Sequence, residues 1–405
     1  MKLVNRSMVV LAVAGGLVAG SAHAQISNNS IKIGVLSDMS SLYTDIAGAG
    51  SLVAAKLAVE DSGLEKRGIK VEVVSADHQN KPDIGSAVAR RWYEADNVDV
   101  IVDVPNSGVA LAVSQITKDK NKVFLAVGAG TSDLTGKACS PNTVHWAYDT
   151  WMLANGTGTA LTKNGGSTWF FITADYAFGQ ALERDTTAAV QAAGGKVLGN
   201  ARAPLNNQDF SSFLLQAQAS KAKVIGLANA GGDTTNSIKQ AAEFGIIKGG
   251  QSLAGLLVFL TDIHALGLPT AQGLTFTETF YWDMNDQSRE FAKRFAPLDK
   301  GIHPTMVHAG VYSAVLHYLK AVEALKNDSD GAKIVEKMKA TPTDDPLFGK
   351  GSIRVDGRKI HPAYLLEVKK PAESKAAWDY YKVLATIPPE QAFRPLKDGG
   401  CPLVK

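Results

Sequence analysis

The sequence predicts an α/β protein with two doubly wound parallel-sheet lobes, joined by a hinge that the chain crosses several times. Three observations predict this fold class. Short β-like runs alternate with helical runs, which is typical of parallel strands covered by helices. The alternation restarts near residues 145–150. The 405 residues also exceed what one hydrophobic core normally holds, so two domains are expected.

In the first half of the chain, hydrophobic patterning predicts four strands separated by three helices. The run VDVIVDV at 98–104 is nearly continuous in apolar residues, which is typical of a parallel strand buried on both faces. Pro82 stands in the first turn of a predicted helix, where a missing backbone N–H costs nothing. The predicted strands are 31–37, 71–76, 98–104 and 123–127, and the predicted helices are 46–61, 82–94 and 107–119.

The same alternation continues through the second half. Gly194 and Gly245 follow two helical runs, as expected of glycines that end helices. The predicted strands are 168–173, 196–201, 224–228, 253–260 and 274–279, and the predicted helices are 150–163, 178–193, 210–220 and 234–244. We expect these five strands to form the second sheet.

Beyond Trp282 the pattern is mainly helical, and then strand-like. The predicted helices are 286–295, 305–325 and 332–340, and the strand-like segments are 351–355, 363–368 and 378–387. The helical block needs a surface to pack on, so we expect it to return to the first lobe and the last strands to return to the second. Lobe 1 would hold residues 25–147 and 282–355, lobe 2 would hold 148–281 and 356–387, and 388–405 would form a C-terminal tail.

The first 24 residues have the pattern of a secretory signal peptide. Lys2 and Arg6 precede an apolar stretch, Met8 to Gly20, which is too short to cross a bilayer. Ala22-His23-Ala24 fits a signal peptidase site, so we predict cleavage after Ala24 and export from the cytoplasm. A buried core helix is the alternative interpretation of this stretch.

Composition and missing motifs narrow the classes of function. Without Lys2 and Arg6 the chain carries 40 Lys and Arg against 39 Asp and Glu, a balance that argues against a nucleic-acid partner. The sequence has no nucleophile elbow, P-loop, dinucleotide-binding turn or H-E-x-x-H zinc motif. We therefore expect a protein that is not an enzyme and uses no cofactor or metal. A hydrolase or isomerase on an α/β frame is the alternative class.

Two cysteines, Cys139 and Cys401, are the only ones in the chain. An oxidising compartment permits them to pair, and we predict a disulfide between them. Two unpaired thiols are the alternative. The absence of a C-x-x-C spacing gives no indication of a redox motif or a zinc site.

Small and hydroxyl-bearing residues follow two of the predicted strands. In a parallel α/β sheet, ligands bind beyond the carboxyl ends of the strands. The third strand leads into Asn106 and Ser107, and the fourth leads into a loop that contains Ala129, Gly130 and Thr131. Backbone N–H groups and hydroxyls in such loops can hold a carboxylate or a phosphate. Helix capping and loop flexibility explain the same residues equally well, and the sequence leaves both interpretations open.

Aromatic residues gather at the loops and at the seam where the two halves should meet, although they make up only 7% of the chain. Such residues supply apolar walls for a small ligand. Packing inside the domain cores is the other explanation. The set comprises Tyr43, Trp146, Tyr148, Trp151, Tyr176, Phe178, Tyr281 and Trp282.

Several segments together resemble the leucine/isoleucine/valine-binding family, which are periplasmic substrate-binding proteins of ABC importers with the type I periplasmic binding fold. The segments are the export signal, IKIGVLSDMS at 31–40, the turn from Asp77 to Pro82, the helix start at Ser107, GAGTSDLT at 128–135 and ADYAFG at 174–179. The resemblance covers essentially the whole mature chain. Four further segments resemble the branch associated with aromatic carboxylates such as benzoate derivatives: SADHQNKPD (75–83), ARRWYE (89–94), FSSFLLQAQASKAKVIGLANAGGD (210–233) and the terminal CPLVK.

The resemblance implies roles for particular residues. The Ser107 hydroxyl, the Ala129 backbone and Thr131 match positions that hold a ligand carboxylate, Tyr176 matches an aromatic cover from the second lobe, and Asp149 lies beside the site. Amino-acid binders of the family also use an acid and a Tyr of the second lobe for the ammonium group. Here the strand ends near Asn229 and Asp262 lack that Tyr, and the acid is out of register, which predicts a carboxylate ligand without an ammonium group. The expected ligand-binding set is Tyr43, Asn106, Ser107, Ala129, Gly130, Thr131, Tyr148, Asp149, Tyr176, Asn229 and Asp262.

The resemblance further implies how the protein works. Two lobes would close on a small carboxylate in the periplasm, and the closed protein, which we expect to be a monomer, would dock on a membrane permease. A branched-chain or other aliphatic amino acid is the alternative ligand. A ligand-sensing subunit of a receptor is the alternative role for the same fold.

Overall fold

The structure is a computed structural model that describes residues 26–405. The predicted signal peptide lies outside the described residues. Within them, no helix combines the length and the apolar character that a membrane span requires.

The described chain contains 15 strands, which we number in chain order. Their bounds are β1 Ser30–Ser37, β2 Lys70–Asp77, β3 Val100–Asp103, β4 Val123–Ala126, β5 Thr143–His145, β6 Thr168–Ala174, β7 Lys196–Ala203, β8 Val224–Ala228, β9 Ser252–Gly255, β10 Thr275–Glu278, β11 Thr343–Asp345, β12 Gly349–Ile353, β13 Lys359–Ile360, β14 Ala363–Val368 and β15 Tyr381–Ile387.

It also contains 14 α-helical segments. Their bounds are α1 Gly48–Ser62, α2 Pro82–Glu94, α3 Ser107–Asp119, α4 Thr150–Leu153, α5 Thr159–Lys163, α6 Ala177–Ala192, α7 Ser211–Ala219, α8 Gly232–Glu243, α9 Leu260–Leu266, α10 Leu268–Ala271, α11 Asp286–Phe295, α12 Met306–Leu325, α13 Gly331–Ala340 and α14 Pro389–Ala392. A π-helical turn, Ala154–Gly158, joins α4 to α5, so the helix predicted at 150–163 is continuous but not α-helical throughout.

Two parallel sheets form the two lobes and confirm the predicted fold class. The first sheet has the order β2-β1-β3-β4-β5, and the second has the order β7-β6-β8-β9. All four residues of β3 and all five of β8 are buried, as expected of central parallel strands covered by helices on both faces. No sequence pattern predicted β5, a three-residue strand at the edge of the first sheet.

The prediction for residues 253–260 was wrong in its second half. β9 ends at Gly255, and the chain enters helix α9 at Leu260. Leu260 and Ile263 are buried one turn apart on this helix. A short apolar run fits a buried strand and a buried helix equally well, so periodicity could not separate the two.

The prediction that residues 274–279 complete the second sheet was also wrong. They form β10, which pairs antiparallel with β14, and β14 pairs antiparallel with β15. This separate three-stranded sheet brings the last strands of the chain back to the segment that follows the second parallel sheet. The long-range pairing of Phe276 with Leu366 has no local signature in the sequence.

The helical block after residue 282 returns to the first lobe. Helix α12 packs along α1, and α13 packs on α12. At the start of α12, the Thr305 hydroxyl donates to the carbonyl oxygen of Ile46 over 2.9 Å, and His308 Nε2 lies 2.9 Å from the carbonyl oxygen of Ala47. Burial lowers the pKa of His308 to about 4, so the ring is neutral at physiological pH and donates one hydrogen bond.

A fully buried arginine, Arg358, ties together two chain segments that cross between the lobes. Its guanidinium donates to the carbonyl oxygens of Trp146 (2.6 Å), Tyr148 (2.9 Å) and Lys359 (3.0 Å). It also lies 3.5 Å from the Asp149 carboxylate and 4.3 Å from the centre of the Phe393 ring. The segment before β13 therefore runs beside the segment that joins β5 to α4.

The predicted disulfide is confirmed. Cys139 and Cys401 are bonded; their Cα atoms lie 5.6 Å apart, and the two residues are 262 positions apart in sequence. On the way to this bond the C-terminal tail packs Phe393 on Arg358, and Arg394 Nη2 donates to the Ser132 carbonyl oxygen over 2.9 Å. The tail thus returns from β15 to the first lobe.

We expect the non-reduced, denatured protein to take up no thiol label. Intact-mass measurement after alkylation should show the mass of the unlabelled chain, and prior reduction should add two labels. Two labels without reduction would contradict the bond.

Candidate ligand-binding site

The loops that follow β3 and β4 pack against each other at the carboxyl edge of the first sheet. Asp103 and Val104 leave β3 with positive φ angles of 84° and 57°, which turns the chain sharply. A Cβ atom on Gly128 would lie 2.6 Å from Asp103 Oδ1 and 2.8 Å from the Pro105 Cα atom. Only glycine fits at position 128, because any side chain would push the two loops apart.

These loops bring together three residues that we call the carboxylate cradle: Ser107, Ala129 and Thr131. All three are buried. The Thr131 N–H donates to Ser107 Oγ over 3.2 Å, which fixes the two loops to each other. Each hydroxyl can still donate its own proton. Ser107 is also the first residue of α3, and the N-terminus of a helix favours an anion.

Asn106 serves the cradle indirectly. Its side-chain oxygen accepts hydrogen bonds from the N–H groups of Gly108 (2.9 Å) and Val109 (3.1 Å), so it caps α3. This is the capping interpretation that the sequence left open, and it applies to Asn106 and not to Ser107. The Ser107 hydroxyl therefore takes no part in capping α3.

His145 and Tyr148 hold the loop after β4 by hydrogen bonds to its carbonyl oxygens. His145 Nε2 donates to the Ala129 carbonyl oxygen over 2.7 Å, and the Tyr148 hydroxyl donates to the Gly128 carbonyl oxygen over 2.6 Å. Burial, reinforced by Arg358, holds the pKa of His145 well below its usual value, so the ring is neutral and keeps this donor role. The carbonyl oxygens of Gly128 and Ala129 are thus occupied, whereas the Ala129 and Gly130 N–H groups donate to no other described residue.

Asp149 lies at the edge of the site, where its carboxylate is already bonded. One oxygen accepts the Met152 N–H over 2.8 Å and caps α4, and the other faces Arg358. Burial raises the pKa of this carboxyl above its usual value, while Arg358 opposes the shift. Its contribution to the site is therefore to position the crossing segment.

Aromatic side chains from both lobes close over the cradle. The hydroxyls of Tyr43, from lobe 1, and Tyr176, from lobe 2, lie 2.5 Å apart. A Cβ atom on Gly130 would lie 2.7 Å from the Phe178 ring and 3.0 Å from the Tyr148 ring, so the backbone of this loop packs directly on aromatic faces. Burial raises the pKa of both Tyr43 and Tyr176, so the wall is uncharged.

Phe259 completes this wall and was missed by the sequence analysis. Its ring packs edge-on against Tyr148, with 6.2 Å between ring centres, and it is fully buried. The sequence analysis placed the residue near the end of the predicted strand 253–260, whereas it precedes α9. Its place at the end of an apolar run was the only available signal.

Four other aromatics of the predicted set lie elsewhere or contribute to packing. The Trp146 indole donates to Ser313 Oγ inside lobe 1, over 2.9 Å. Tyr281 and Trp282 both donate to the Trp378 carbonyl oxygen. Trp151 lines a surface groove beside α5 and α6. The alternative of core packing therefore accounts for Trp146, Tyr281 and Trp282.

Asn229 and Asp262 lie on the second-lobe side, but both side chains are bonded within that lobe. Asn229 accepts from the Thr234 hydroxyl over 2.7 Å and donates to Ser237 Oγ over 3.1 Å. Asp262 accepts the Phe259 N–H over 2.9 Å at the start of α9. Burial, reinforced by the charge of Asp45, raises the pKa of the Asp262 carboxyl to about 7.

The raised pKa of Asp262 gives a pH prediction. The folded protein holds this proton more tightly than the unfolded chain, so the free energy of unfolding should fall as pH rises from 5 to 7. In Asp262→Asn, which keeps an acceptor for Phe259, that part of the fall should disappear. We expect the slope of the unfolding free energy against pH to differ between wild type and Asp262→Asn by on the order of 1 kcal/mol per pH unit. Urea unfolding at several pH values measures these slopes.

Asp286→Asn is the control for this measurement, because the Asp286 side chain is fully exposed. Its urea profile should parallel that of the wild type at every pH. Parallel profiles for Asp262→Asn and the wild type would contradict the buried, protonated carboxyl.

Within residues 26–405, no group of three or more His, Cys, Asp or Glu side chains is arranged to hold a metal ion.

Residues 30–375 match the periplasmic binding protein family. The chain belongs to this family. A periplasmic binding protein from Burkholderia mallei is 52% identical, covers 93% of this chain and 100% of its own, and has a TM-score of 0.90. A branched-chain amino acid ABC transporter periplasmic ligand-binding protein from Burkholderia xenovorans is 41% identical and has a TM-score of 0.82. It also covers 93% of this chain and 100% of its own.

A solute-binding protein of an ABC transporter from R. palustris, solved in complex with benzoate, shares the fold. It is 20% identical, with a TM-score of 0.78, and the alignment covers 89% of this chain and 97% of that one. No curated protein matches the chain. As a periplasmic binding protein of an ABC transporter, the chain binds a small-molecule ligand and works with a membrane permease.

Proposed function

We propose that this periplasmic binding protein captures small aromatic carboxylates, such as benzoate derivatives, between its two lobes. The observation that carries the proposal is the buried carboxylate cradle under an uncharged aromatic wall. The Ser107 and Thr131 hydroxyls and the Ala129 backbone N–H would bind the carboxylate. Tyr43, Tyr148, Tyr176 and Phe178 would enclose the ring.

The acids of the second lobe argue against an amino-acid ligand. An ammonium group needs an ionised carboxylate with free oxygens. The two oxygens of Asp233 accept the N–H groups of Asn206 (3.1 Å) and Asn207 (2.9 Å), and burial raises its pKa to about 6. Asp262 caps α9 and is about half protonated near pH 7. Neither carboxylate is well placed to hold an ammonium group.

A branched-chain or other aliphatic amino acid is the second candidate ligand. It is favoured by the 41% identity with the Burkholderia xenovorans protein, which is named for branched-chain amino acids. Aromatic rings also offer good apolar surface to an aliphatic side chain.

A thermal-shift panel separates the two candidates. Benzoate and 4-hydroxybenzoate should raise the melting temperature in a concentration-dependent way, because a ligand that binds only the folded state stabilises it. Leucine and valine should leave the temperature unchanged. Stabilisation by leucine or valine, with none by either benzoate, would overturn the ligand assignment.

The proposal includes the cellular setting. Cleavage after Ala24 would release a monomer that begins at Gln25 into the periplasm, with the lobe boundaries given above. Mass spectrometry of the periplasmic fraction should therefore find Gln25 as the first residue. Light scattering should give the mass of one chain.

A further inference from the structure

Ser132 follows the cradle residue Thr131 directly, and each of its polar atoms bonds to a residue beyond residue 149. Its N–H donates to Thr150 Oγ1 over 3.0 Å. Its hydroxyl donates to Asp185 Oδ2 over 2.7 Å, and its carbonyl oxygen accepts from Arg394 over 2.9 Å. One residue of the first-lobe loop is therefore held by α4, by α6 and by the C-terminal tail.

Asp185, in the middle of α6, is the main partner of Ser132. It is only 7% exposed. The same carboxylate oxygen that accepts from Ser132 also accepts from Thr150 Oγ1 over 2.6 Å, and the other oxygen accepts from Arg184 Nε over 2.9 Å. The carboxylate is thus fully bonded, and it fixes Ser132 relative to the second lobe.

Arg184 adds a charged bridge between the lobes. Its Nη1 donates to Asp133 Oδ1 over 3.1 Å, and its Nη2 lies 2.9 Å from Ser132 Oγ. The guanidinium therefore offsets two carboxylates, Asp133 and Asp185, that lie next to the carboxylate cradle. Without it, Asp185 would lose its cationic partner and Asp133 would keep only Lys137, 3.3 Å away, so the negative charge beside an anionic ligand would increase.

We propose that Ser132, Arg184 and Asp185 form a clasp that couples the carboxylate cradle to the second lobe. The proposal rests on the proposed function. These are positioning residues, since they act on the ligand through the loop that carries Ala129 and Thr131. The clasp holds that loop in one geometry only while α6 lies against it, so ligand binding and lobe closure favour each other.

The test compares Ser132→Ala, Asp185→Asn and the double variant by calorimetric titration with 4-hydroxybenzoate and benzoate. Each single variant should bind about tenfold more weakly. The double variant should bind no more weakly than the weaker single variant, because both changes disrupt the same network. Ser132→Ala removes the hydroxyl that bonds Asp185 and Arg184, and Asp185→Asn replaces the oxygen that accepts from Arg184 by an amide NH2. Ser132→Thr, which keeps the hydroxyl, should restore most of the affinity.

Arg202→Ala is the matched control. Arg202 also pairs with acidic residues of the second lobe, 3.4 Å from Asp175, but it is 43% exposed and takes no part in the clasp. It should leave the affinity unchanged. Unchanged affinity in Ser132→Ala and Asp185→Asn, or additive losses in the double variant, would overturn the clasp.

Small-angle scattering of the ligand-free proteins tests the clasp without any ligand. Asp185→Asn and Ser132→Ala should increase the radius of gyration, since the lobes lose a contact that favours closure. The same radius in both variants and the wild type would overturn the coupling. If wild type binds none of the tested carboxylates, the proposed function falls, while the scattering still decides the clasp.

Discussion

Replacing Ser107 and Thr131 together by alanine should weaken binding of 4-hydroxybenzoate by at least about a hundredfold. Both hydroxyls would donate to a buried carboxylate, and a hydrogen bond to a charged group contributes about 1.5–3 kcal/mol. Titration calorimetry of the double variant against wild type measures the loss. The melting temperature of the ligand-free protein should fall by only a few degrees, because each hydroxyl also accepts one internal hydrogen bond.

The matched control removes two buried hydroxyls from α3, the helix that begins at Ser107, at positions away from the cradle. In Ser114→Ala with Thr117→Ala, the lost hydrogen bonds are those to Thr143 Oγ1 (2.8 Å) and to the Tyr93 hydroxyl (3.0 Å). This variant should lose stability and keep its affinity. Equal affinity losses in the two double variants would show that the cradle is misassigned and that the effect comes from α3 as a whole.

Removing the Arg358 side chain should destabilise the protein by about 3–5 kcal/mol. Arg358→Ala would leave Asp149 as a buried carboxylate without a counter-charge and would strip the Tyr148 carbonyl oxygen of its donor. The Trp146 carbonyl oxygen would keep only His361 Nε2, 3.2 Å away. Burial lowers the pKa of Arg358 to about 10, which still leaves it charged at neutral pH. The measurement is the free energy of unfolding in urea.

Arg67→Ala provides the comparison for this prediction. Arg67 pairs with Glu323 over 2.6 Å, but both side chains are more than a third exposed, so the loss should be at most about 1 kcal/mol. The loss of stability in Arg358→Lys should lie between the losses in Arg358→Ala and Arg67→Ala, since an ammonium group keeps the charge but cannot reach all three carbonyl oxygens. A loss in Arg358→Ala as small as that in Arg67→Ala would mean that the hinge does not depend on this side chain.

The fold was predictable where the pattern was local. The parallel sheets follow from runs such as 98–104, and α3 begins at Ser107 in both the prediction and the structure. The disulfide was predictable because only two cysteines were present. The pairing of β10 with β14, by contrast, joins residues about 90 positions apart and depends on tertiary packing, which no local pattern encodes.

The candidate site was predictable in position and less so in detail. The strand-end rule placed Ser107, Ala129 and Thr131 in adjacent loops, as the structure has them. It could not distinguish ligand contacts from support, because Asn106 and Asp149 are the same residue types that hold ligands elsewhere. Their roles as caps depend on which N–H groups lie within reach, and this is fixed only by the folded backbone.

The bond between Cys139 and Cys401 also bears on how the chain matures. With two cysteines there is only one possible intrachain pairing, so no wrong disulfide can form within a single molecule. Oxidative folding would then require an electron acceptor but no shuffling enzyme. Since the second thiol is made 262 residues after the first, Cys139 has no intrachain partner until Cys401 has been made. The bond can therefore form only after every strand of both parallel sheets has been synthesised.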